Sequence, residues 1–444
     1  MSHSLERHPE VNAYLHKICA QVKAKEVHEE IRHELLSHLE ELTAERVAQS
    51  GMPEEKAMIE ALRHMGDPEQ VGKQLHTAHK PKPEWGVIAL VAGMFLIGLV
   101  SMFTLRLSVD GMIDRKLVYG FVGVAVMIGL YFVDYRKLIR YSWVLYGATL
   151  LLMAAVHWQS VQVNGVTQWL LLGPFNFNVY AASPYLLLIA IAGMLQRKKP
   201  AAQGLREEAV ELGKDAVLFM LIPALLYVPA PAFAYLLIYG FGLAVLLLVS
   251  GKMKLLITGL SALVLMTVPV LLNGSFDYEW SRLSAFLNPD THAQTEGYLV
   301  LRSVEAIQSG GMWGQGFGIV NDKLPLASSE LFYSYLVYNF GWVFGIAVAL
   351  LAFLFVVRIA RMGAKLQDSY AKNLVVGLIA VLGIQLAWNL LMCAGLLPIL
   401  GLRLPIMNWS SGMVIELAAV GLILSAYRRK DMFGSSYRPQ PTKV

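Results

Sequence analysis

The pattern of apolar and polar residues changes character once along this chain. Up to about residue 84, apolar residues recur at helical steps between charged ones. Val27, Ile31, Leu35, Leu39 and Leu42 fall three or four apart and mark one buried stripe. Gly51 ends that helix, and Pro53 opens another carrying Met58, Ile59 and Leu62. Asp67-Pro68 then sets a cap and a first-turn proline ahead of Val71 and Leu75. This predicts a bundle of three or four short soluble helices, with KPKPEW as a short stiff linker after it. Past the linker the polar face disappears. Runs near the ~20 apolar residues that a transmembrane helix needs occupy 86–105, 117–133, 141–158, 179–195, 216–228, 233–250, 255–272, 342–357, 374–392 and 413–424, the fifth of them short. The expected fold is all-α: a polytopic membrane protein of about ten spans. It divides into a small N-terminal helical bundle (1–84), a transmembrane domain (85–430) with one large polar loop at about 273–341, and a tail (431–444).

Composition agrees with that division. The chain is 56% hydrophobic and 16% charged, against about 45–50% and about 25% for soluble domains, so most of it has lipid as its solvent. The net charge of +5 is not a nucleic-acid signal. Its basic residues sit in short loops: Arg136, Lys137 and Arg140; Arg197, Lys198, Lys199 and Arg206; Lys252 and Lys254; Arg358, Arg361, Lys365 and Lys372; Arg428, Arg429 and Lys430. The positive-inside rule then calls for an even number of spans and both termini in the cytosol. The polar first eighty or so residues carry no secretory signal, so the head is expected to stay cytosolic. Cys19 and Cys393 fall in different regions, and no C-x-x-C metal site exists. Nine of the 11 histidines lie in the head. His28-Glu29 and His33-Glu34 each meet the next histidine five residues on rather than the four of a zinc-protease helix, and surface histidines are the plain reading.

The segments expected outside are 159–178, 273–341 and 395–411, all on one side. No ATP is available there, so a reaction would need a substrate already activated, such as a lipid pyrophosphate. Transfer from a pyrophosphate donor needs a carboxylate to take the acceptor's proton. It also needs cations, or a divalent metal such as Mg²⁺, to hold the departing pyrophosphate; no organic cofactor is called for. The large loop offers Asp277, Glu279, Asp290, Glu296, Glu305, Asp322 and Glu330 as acids. Arg282, Arg302 and Lys323 are its cations, with Arg403 in the next outward loop. Arg302 and Glu305 stand three apart, which also reads as a local ion pair. GGMWGQGFG (310–318) follows no strand and lacks a G-K-[ST] ending, so it reads as a tight turn between half-helices rather than a nucleotide loop. Glu416 lies a turn or so inside the last span, a functional candidate by its depth and an interface residue by its nearness to the end.

Several blocks stand in a fixed order. Gly297-Tyr298, Ser303, Ala306-Ile307, Ser309-Gly310-Gly311, Gly314, Gly316, Gly318, Leu324-Pro325 and Gly341 come first. Gln385, Asn389, Gly395-Leu396-Leu397-Pro398, Gly401-Leu402 and Leu404-Pro405 follow, and upstream stand Trp169, Leu172-Gly173-Pro174-Phe175 and Phe177. In sequence, spacing and expected side these resemble the motifs of the SEDS family, the RodA/FtsW-type cell-wall glycosyltransferases, from about residue 86 onward. The head resembles the helical permease-prefix domain in its HELLSHLEE and GDPEQVGKQL runs, which implies a protein-interaction or regulatory role with an unknown cytosolic partner.

The resemblance implies a peptidoglycan glycosyltransferase that polymerises lipid II on the outer face of the bacterial cytoplasmic membrane, beside a class B penicillin-binding transpeptidase. The family's catalytic aspartate falls on Glu330. Arg302, Lys323 and Arg403 are candidate pyrophosphate contacts, and Trp169, Gln385 and Asn389 are candidate substrate contacts. Departures from the family pattern are as specific. Its arginine before the tryptophan is Gln168, its Q-P-S-E run is Asn178-Val179-Tyr180-Ala181, its E-E pair is Tyr338-Asn339, and its S-Y-G-G-S is Asn408-Trp409-Ser410-Ser411-Gly412. They leave open an alternative: the fold kept as a catalytically inactive lipid-carrier-binding or regulatory membrane protein.

Overall fold

The computed structural model describes residues 8–23, 28–78, 83–106, 113–159, 167–172, 175–196, 204–228, 230, 232–272, 283–295 and 297–430. Of the expected features, Val27, residues 80–82 of the linker, 160–166 of the first outward segment, Gly173-Pro174, Arg197 to Lys199, the loop over 273–282, Glu296 and the tail 431–444 lie outside them. The chain is mostly helical and divides into two compact units, Met1–Pro83 with Tyr427–Val444, and Glu84–Ala426.

In the first unit, α1 (Pro9–Gln21), α2 (His28–Ser50), α3 (Glu54–His64) and α4 (Pro68–Ala78) follow one another. Val11 and Leu15 of α1, Leu36 and Leu39 of α2, and Met58 and Ala61 of α3 share one core. Ile18, Val22 and Ile31 form a second, with Val71 and Leu75 of α4 packed on it. The local signals act as expected: Gly51 leaves α2 with φ 61°, and the Asp67 carboxylate accepts from the Gln70 amide at 3.3 Å. Burial pushes the Cys19 thiol up.

In the second unit the helices are α5 (Trp85–Arg106), α6 (Ile113–Phe132), α7 (Lys137–Arg140), α8 (Ser142–Trp158), α9 (Val179–Met194), α10 (Leu205–Ala216), α11 (Ile222–Tyr227), α12 (Phe233–Val249), α13 (Met253–Leu272), α14 (Gly297–Gly310), α15 (Phe332–Ala364), α16 (Ser369–Cys393) and α17 (Gly412–Arg428). Among the described residues three helices, Trp85–Leu105, Phe332–Ala364 and Ser369–Cys393, are long and apolar enough to cross a membrane. The other expected stretches are helical too: α6 and α13 have 20 residues each, α8, α9, α12 and α17 have 16 or 17, and the fifth stretch is interrupted. A π-helical segment, Val217–Leu221, joins α10 to α11 and breaks that doubtful fifth stretch.

The all-α expectation needs one correction. Trp169–Leu172 (β1) and Phe175–Asn178 (β2) pair antiparallel, Trp169 opposite Asn178 and Leu172 opposite Phe175. Gly-Pro between two short aromatic and aliphatic runs excludes a helix and suits strands.

The core of the second unit sits on α9, buried along nearly its whole length, and on α16, most of whose residues are buried. Pro184 inside α9 removes the N–H that would bond the Tyr180 carbonyl. The Ser183 hydroxyl takes its place at 2.8 Å and also meets Tyr227 Oη at 2.6 Å.

Two close approaches position the loops. Helix α15 is broken at Gly341 (φ 86°, ψ 175°), and the 311–316 turn pairs with the break: Trp342 N donates to Gly311 O at 2.8 Å and Gln315 N to Tyr338 O at 2.9 Å. A Cβ on Gly341 would lie 2.3 Å from Met312 O, and one on Gly314 2.1 Å from Asn339 O. This is the tight turn between half-helices expected of the glycine run. Elsewhere Trp409 wedges between α5 and α6. Its ring lies 4.4 Å from that of Phe95, and a Cβ on Gly98 or on Gly120 would come within 2.6 Å of the indole.

Candidate functional site

Five pieces of chain meet at one hollow: the β-hairpin with the start of α9, the start of α12, the middle of α16, the 394–411 loop, and the start of α17. The hollow is open to solvent, and Trp169, Tyr235, Gln385, Arg403, Ser411 and Glu416 are among its walls. Each wall residue has a reason to be there. Trp169 is fixed by the strand pair with Asn178. Asn178 in turn caps α9, accepting from Ala181 N at 2.8 Å. Gln385 is buried within α16 and accepts from Tyr185 Oη at 3.0 Å. Arg403 places its guanidinium 5.9 Å from the Trp169 ring centroid, a cation–π distance.

Glu330 sits beside this hollow. Its residue precedes Leu331, the N-cap of α15, so it lies before the helix rather than in its first turn. The segment leading to it is held from three sides. Asn389 Nδ2 donates to Glu330 O at 3.0 Å. Asn408 Nδ2 donates to Ser328 O at 3.2 Å and Ser329 O at 2.8 Å. Lys116 Nζ donates to Ser328 O at 3.3 Å. The Glu330 carboxylate packs on Gly401, where a Cβ would lie 3.4 Å from Oε1; Gly401 itself has φ 79°. The charges of Arg403, Glu330 and Glu416 all act on the half-buried Tyr235 hydroxyl. Two carboxylates, one guanidinium and one phenol are therefore neighbours at one edge of the hollow.

Glu416 has a different part. Its Oε2 accepts the Ile406 amide at 2.7 Å, and Ile406 stands at φ 65°, a left-handed conformation costly for a β-branched residue. The carboxylate thus pins the turn that follows Arg403.

The expected site residues separate. Trp169, Gln385 and Arg403 line the hollow, and Asn389, fully buried, ties the main chain of Glu330 to that of Leu402, to whose carbonyl it donates at 2.7 Å. Arg302 lines another concavity with Tyr298, Glu305 and Gln308. It is ion-paired to Glu305 and lies 5.1 Å from the Tyr298 ring centroid; the Glu305 hydrogen bond holds its pKa above the usual guanidinium value. Lys323 is exposed on a turn and lines neither hollow. Lys116, Tyr235 and Asn408 were not singled out from the sequence. Lys116 and Tyr235 are hidden at the ends of apolar runs, where a polar group reads as a membrane boundary, and Asn408 stood only as a departure from a family block. No cluster of three His, Cys, Asp or Glu side chains able to hold a metal occurs among the described residues.

Comparisons with known proteins agree with this architecture. A probable peptidoglycan glycosyltransferase FtsW from Geobacter metallireducens is 27% identical over 325 residues, covering 71% of this chain and 85% of that one. A chain solved in work on the structural coordination of polymerization and crosslinking by a peptidoglycan synthase complex superposes with a TM-score of 0.65 at 24% identity, over 78% of this chain and 98% of that one. The rod shape determining protein RodA of Thermus thermophilus superposes with a TM-score of 0.57 at 24% identity, over 78% and 97%. The family model FTSW_RODA_SPOVE, described as a cell cycle protein, matches residues 84–432, and the chain belongs to that family.

Proposed function

We propose that this protein is a peptidoglycan glycosyltransferase that polymerises lipid II at the outer face of the bacterial cytoplasmic membrane, in about ten spans with both termini in the cytosol. The observation that carries the reading is the packing of the Glu330 carboxylate on Gly401, in the same loop that lays Arg403 over the Trp169 ring in the wall of the hollow. Glu330 is the general base. It takes the proton of the acceptor sugar hydroxyl as that oxygen bonds the donor's anomeric carbon, and the bond from that carbon to the diphosphate oxygen breaks. Arg403 faces the charge that gathers on the departing undecaprenyl pyrophosphate, where a fixed guanidinium favours the transition state over the ground state. Trp169 carries Arg403 on its ring face and Gln385 supplies an amide oriented by Tyr185. Mg²⁺ would be held chiefly by the donor's phosphate oxygens and its own waters, as this ion commonly keeps several waters beside substrate phosphates, leaving Glu330 free as the base; it would neutralise the leaving group. A class B penicillin-binding transpeptidase is the proposed partner, in keeping with a structural neighbour that is part of a peptidoglycan synthase complex.

The test is glycan-chain formation from purified lipid II by the parent and by Glu330→Gln, with and without divalent metal and with a candidate transpeptidase present. Polymer made by the parent and lost in the variant is the expected result. Lipid II bound but never polymerised under any partner condition overturns the reading and leaves a lipid-carrier-binding membrane protein with the same fold.

A further inference from the structure

Ser303 stands in the middle of α14 and is fully buried. A serine inside a helix often bonds back to a carbonyl of the preceding turn, as Ser309 does to Ala306 O at 3.0 Å. Ser303 reaches out of α14 instead. Its hydroxyl lies 2.8 Å from Cys393 O and 2.6 Å from the Ser334 hydroxyl. Cys393 is the last residue of α16, where helix carbonyls lack a partner within the helix. Ser334 lies in the first turn of α15, four residues past Glu330.

A hydroxyl has one proton to give, and a carbonyl can only accept. The Ser303 proton therefore goes to Cys393 O, and Ser334 donates to Ser303. The circuit closes on Glu330. Cys393 Sγ donates to Glu330 O at 3.7 Å, and Asn389, one turn earlier in α16, donates to the same oxygen at 3.0 Å. Ser303, Ser334, Asn389 and Cys393 are all fully buried, and hydrogen bonds chained in such surroundings strengthen one another.

We infer that Ser303 is a positioning residue for the candidate base. By joining the start of α15 to the end of α16, it fixes the turn from which Glu330 projects. Two anchors bracket that turn: α16 holds the Glu330 carbonyl, and Ser303 holds Ser334 one turn later. The neighbouring Arg302 and Glu305 line the separate concavity, so α14 serves the site through its buried hydroxyl rather than through its cation. The two serines are not equivalent. Ser303→Ala strands both the Ser334 hydroxyl and the Cys393 carbonyl, whereas Ser334→Ala strands neither and only cuts the link to α15.

This inference rests on the glycosyltransferase reading, and its test keeps the two apart. Lipid II polymerisation, thermal unfolding and amide exchange over residues 326–334 are measured on the full-length protein in nanodiscs. The variants are Ser303→Ala, Ser334→Ala and, as a control on the same helix, Ser309→Ala, each assayed well below its Tm. Exchange over 326–334 is expected to rise in the first two and not in the control. Ser334→Ala should keep a Tm near the parent's while kcat falls roughly tenfold with KM unchanged, the size of one lost positioning contact. Ser303→Ala should lose at least as much rate and also lower Tm. Exchange unchanged in both serine variants overturns the brace. A Ser334→Ala rate equal to the parent's, or a loss as large in Ser309→Ala as in Ser303→Ala, overturns the positioning role. A parent that makes no polymer, while Ser303→Ala still loosens 326–334, sinks the glycosyltransferase reading and leaves the brace standing.

Discussion

Asn389 donates one amide to two carbonyls, that of Glu330 at 3.0 Å and that of Leu402 at 2.7 Å. A single fully buried side chain in α16 thereby fixes the candidate base and the loop that carries Arg403 to a common reference. Replacing it with leucine leaves two buried carbonyls without their donor, at about 1–3 kcal/mol each. Asn389→Leu is therefore expected to lower Tm by several degrees and to abolish polymerisation, as read by thermal unfolding and by a lipid II assay on the fraction that remains folded.

Glu330 reaches Gly401 because it is one methylene longer than aspartate. Shortening it draws the carboxylate back from the acceptor by ~1 Å, and a misplacement of that size costs on the order of a hundredfold in rate. Glu330→Asp should retain lipid II affinity and lose rate by about that factor; a variant as fast as the parent would show that the site was not shaped around the longer acid.

The Glu416 carboxylate separates charge from hydrogen bonding in a testable way. Glu416→Leu deprives the Ile406 amide of its acceptor in a strained turn, with an expected loss of roughly 2–4 kcal/mol. Glu416→Gln keeps an acceptor oxygen and should recover most of that stability in a denaturant or thermal titration.

Arg302 supplies a control. It is paired with Glu305 in a separate concavity, so Arg302→Ala is expected to leave the polymerisation rate within about twofold of the parent, as for a solvent-screened surface pair. A hundredfold loss would instead place Arg302 in the chemistry.

The backbone at Gly341 tolerates no side chain. With φ 86° and a Cβ position 2.3 Å from Met312 O, Gly341→Ala must separate the 311–316 turn from the break in α15. Faster amide exchange at Trp342 and Gln315, whose N–H groups bond across that junction, is the expected sign.

Much of this was legible in the chain before its structure. Apolar runs located α9, α12, α16 and α17, but not α14, which carries the Gly297–Gly310 block, nor the turns of α15 before Gly341, because both lie in the segment read as one polar loop. The glycine run was readable as a turn because its spacing lacked a nucleotide-loop ending. Periodicity could not show contacts between residues hundreds of positions apart, such as Lys116 with Ser328. It was equally silent on the hairpin at 169–178, whose two strands are four residues each and too short to show an alternation. Arg302 and Arg403 looked alike in sequence, since both are cations in an expected outward loop. Only their neighbours, a paired Glu305 for one and the Trp169 ring for the other, tell them apart.

The wedge of Trp409 between Gly98 and Gly120 has an evolutionary meaning. Neither glycine can gain a side chain while the indole is in place, and losing the indole would leave a void between α5 and α6. Positions 120 and 409 are free to vary only together. A lineage that kept a smaller ring or none at 409 would be released to carry alanine or serine at 120, while Gly98 would still be held by the Met407 carbonyl, 2.3 Å from any Cβ there. The substituted block at 408–412 is in this sense one inherited solution among several, locked in by two residues more than 280 positions away in the chain.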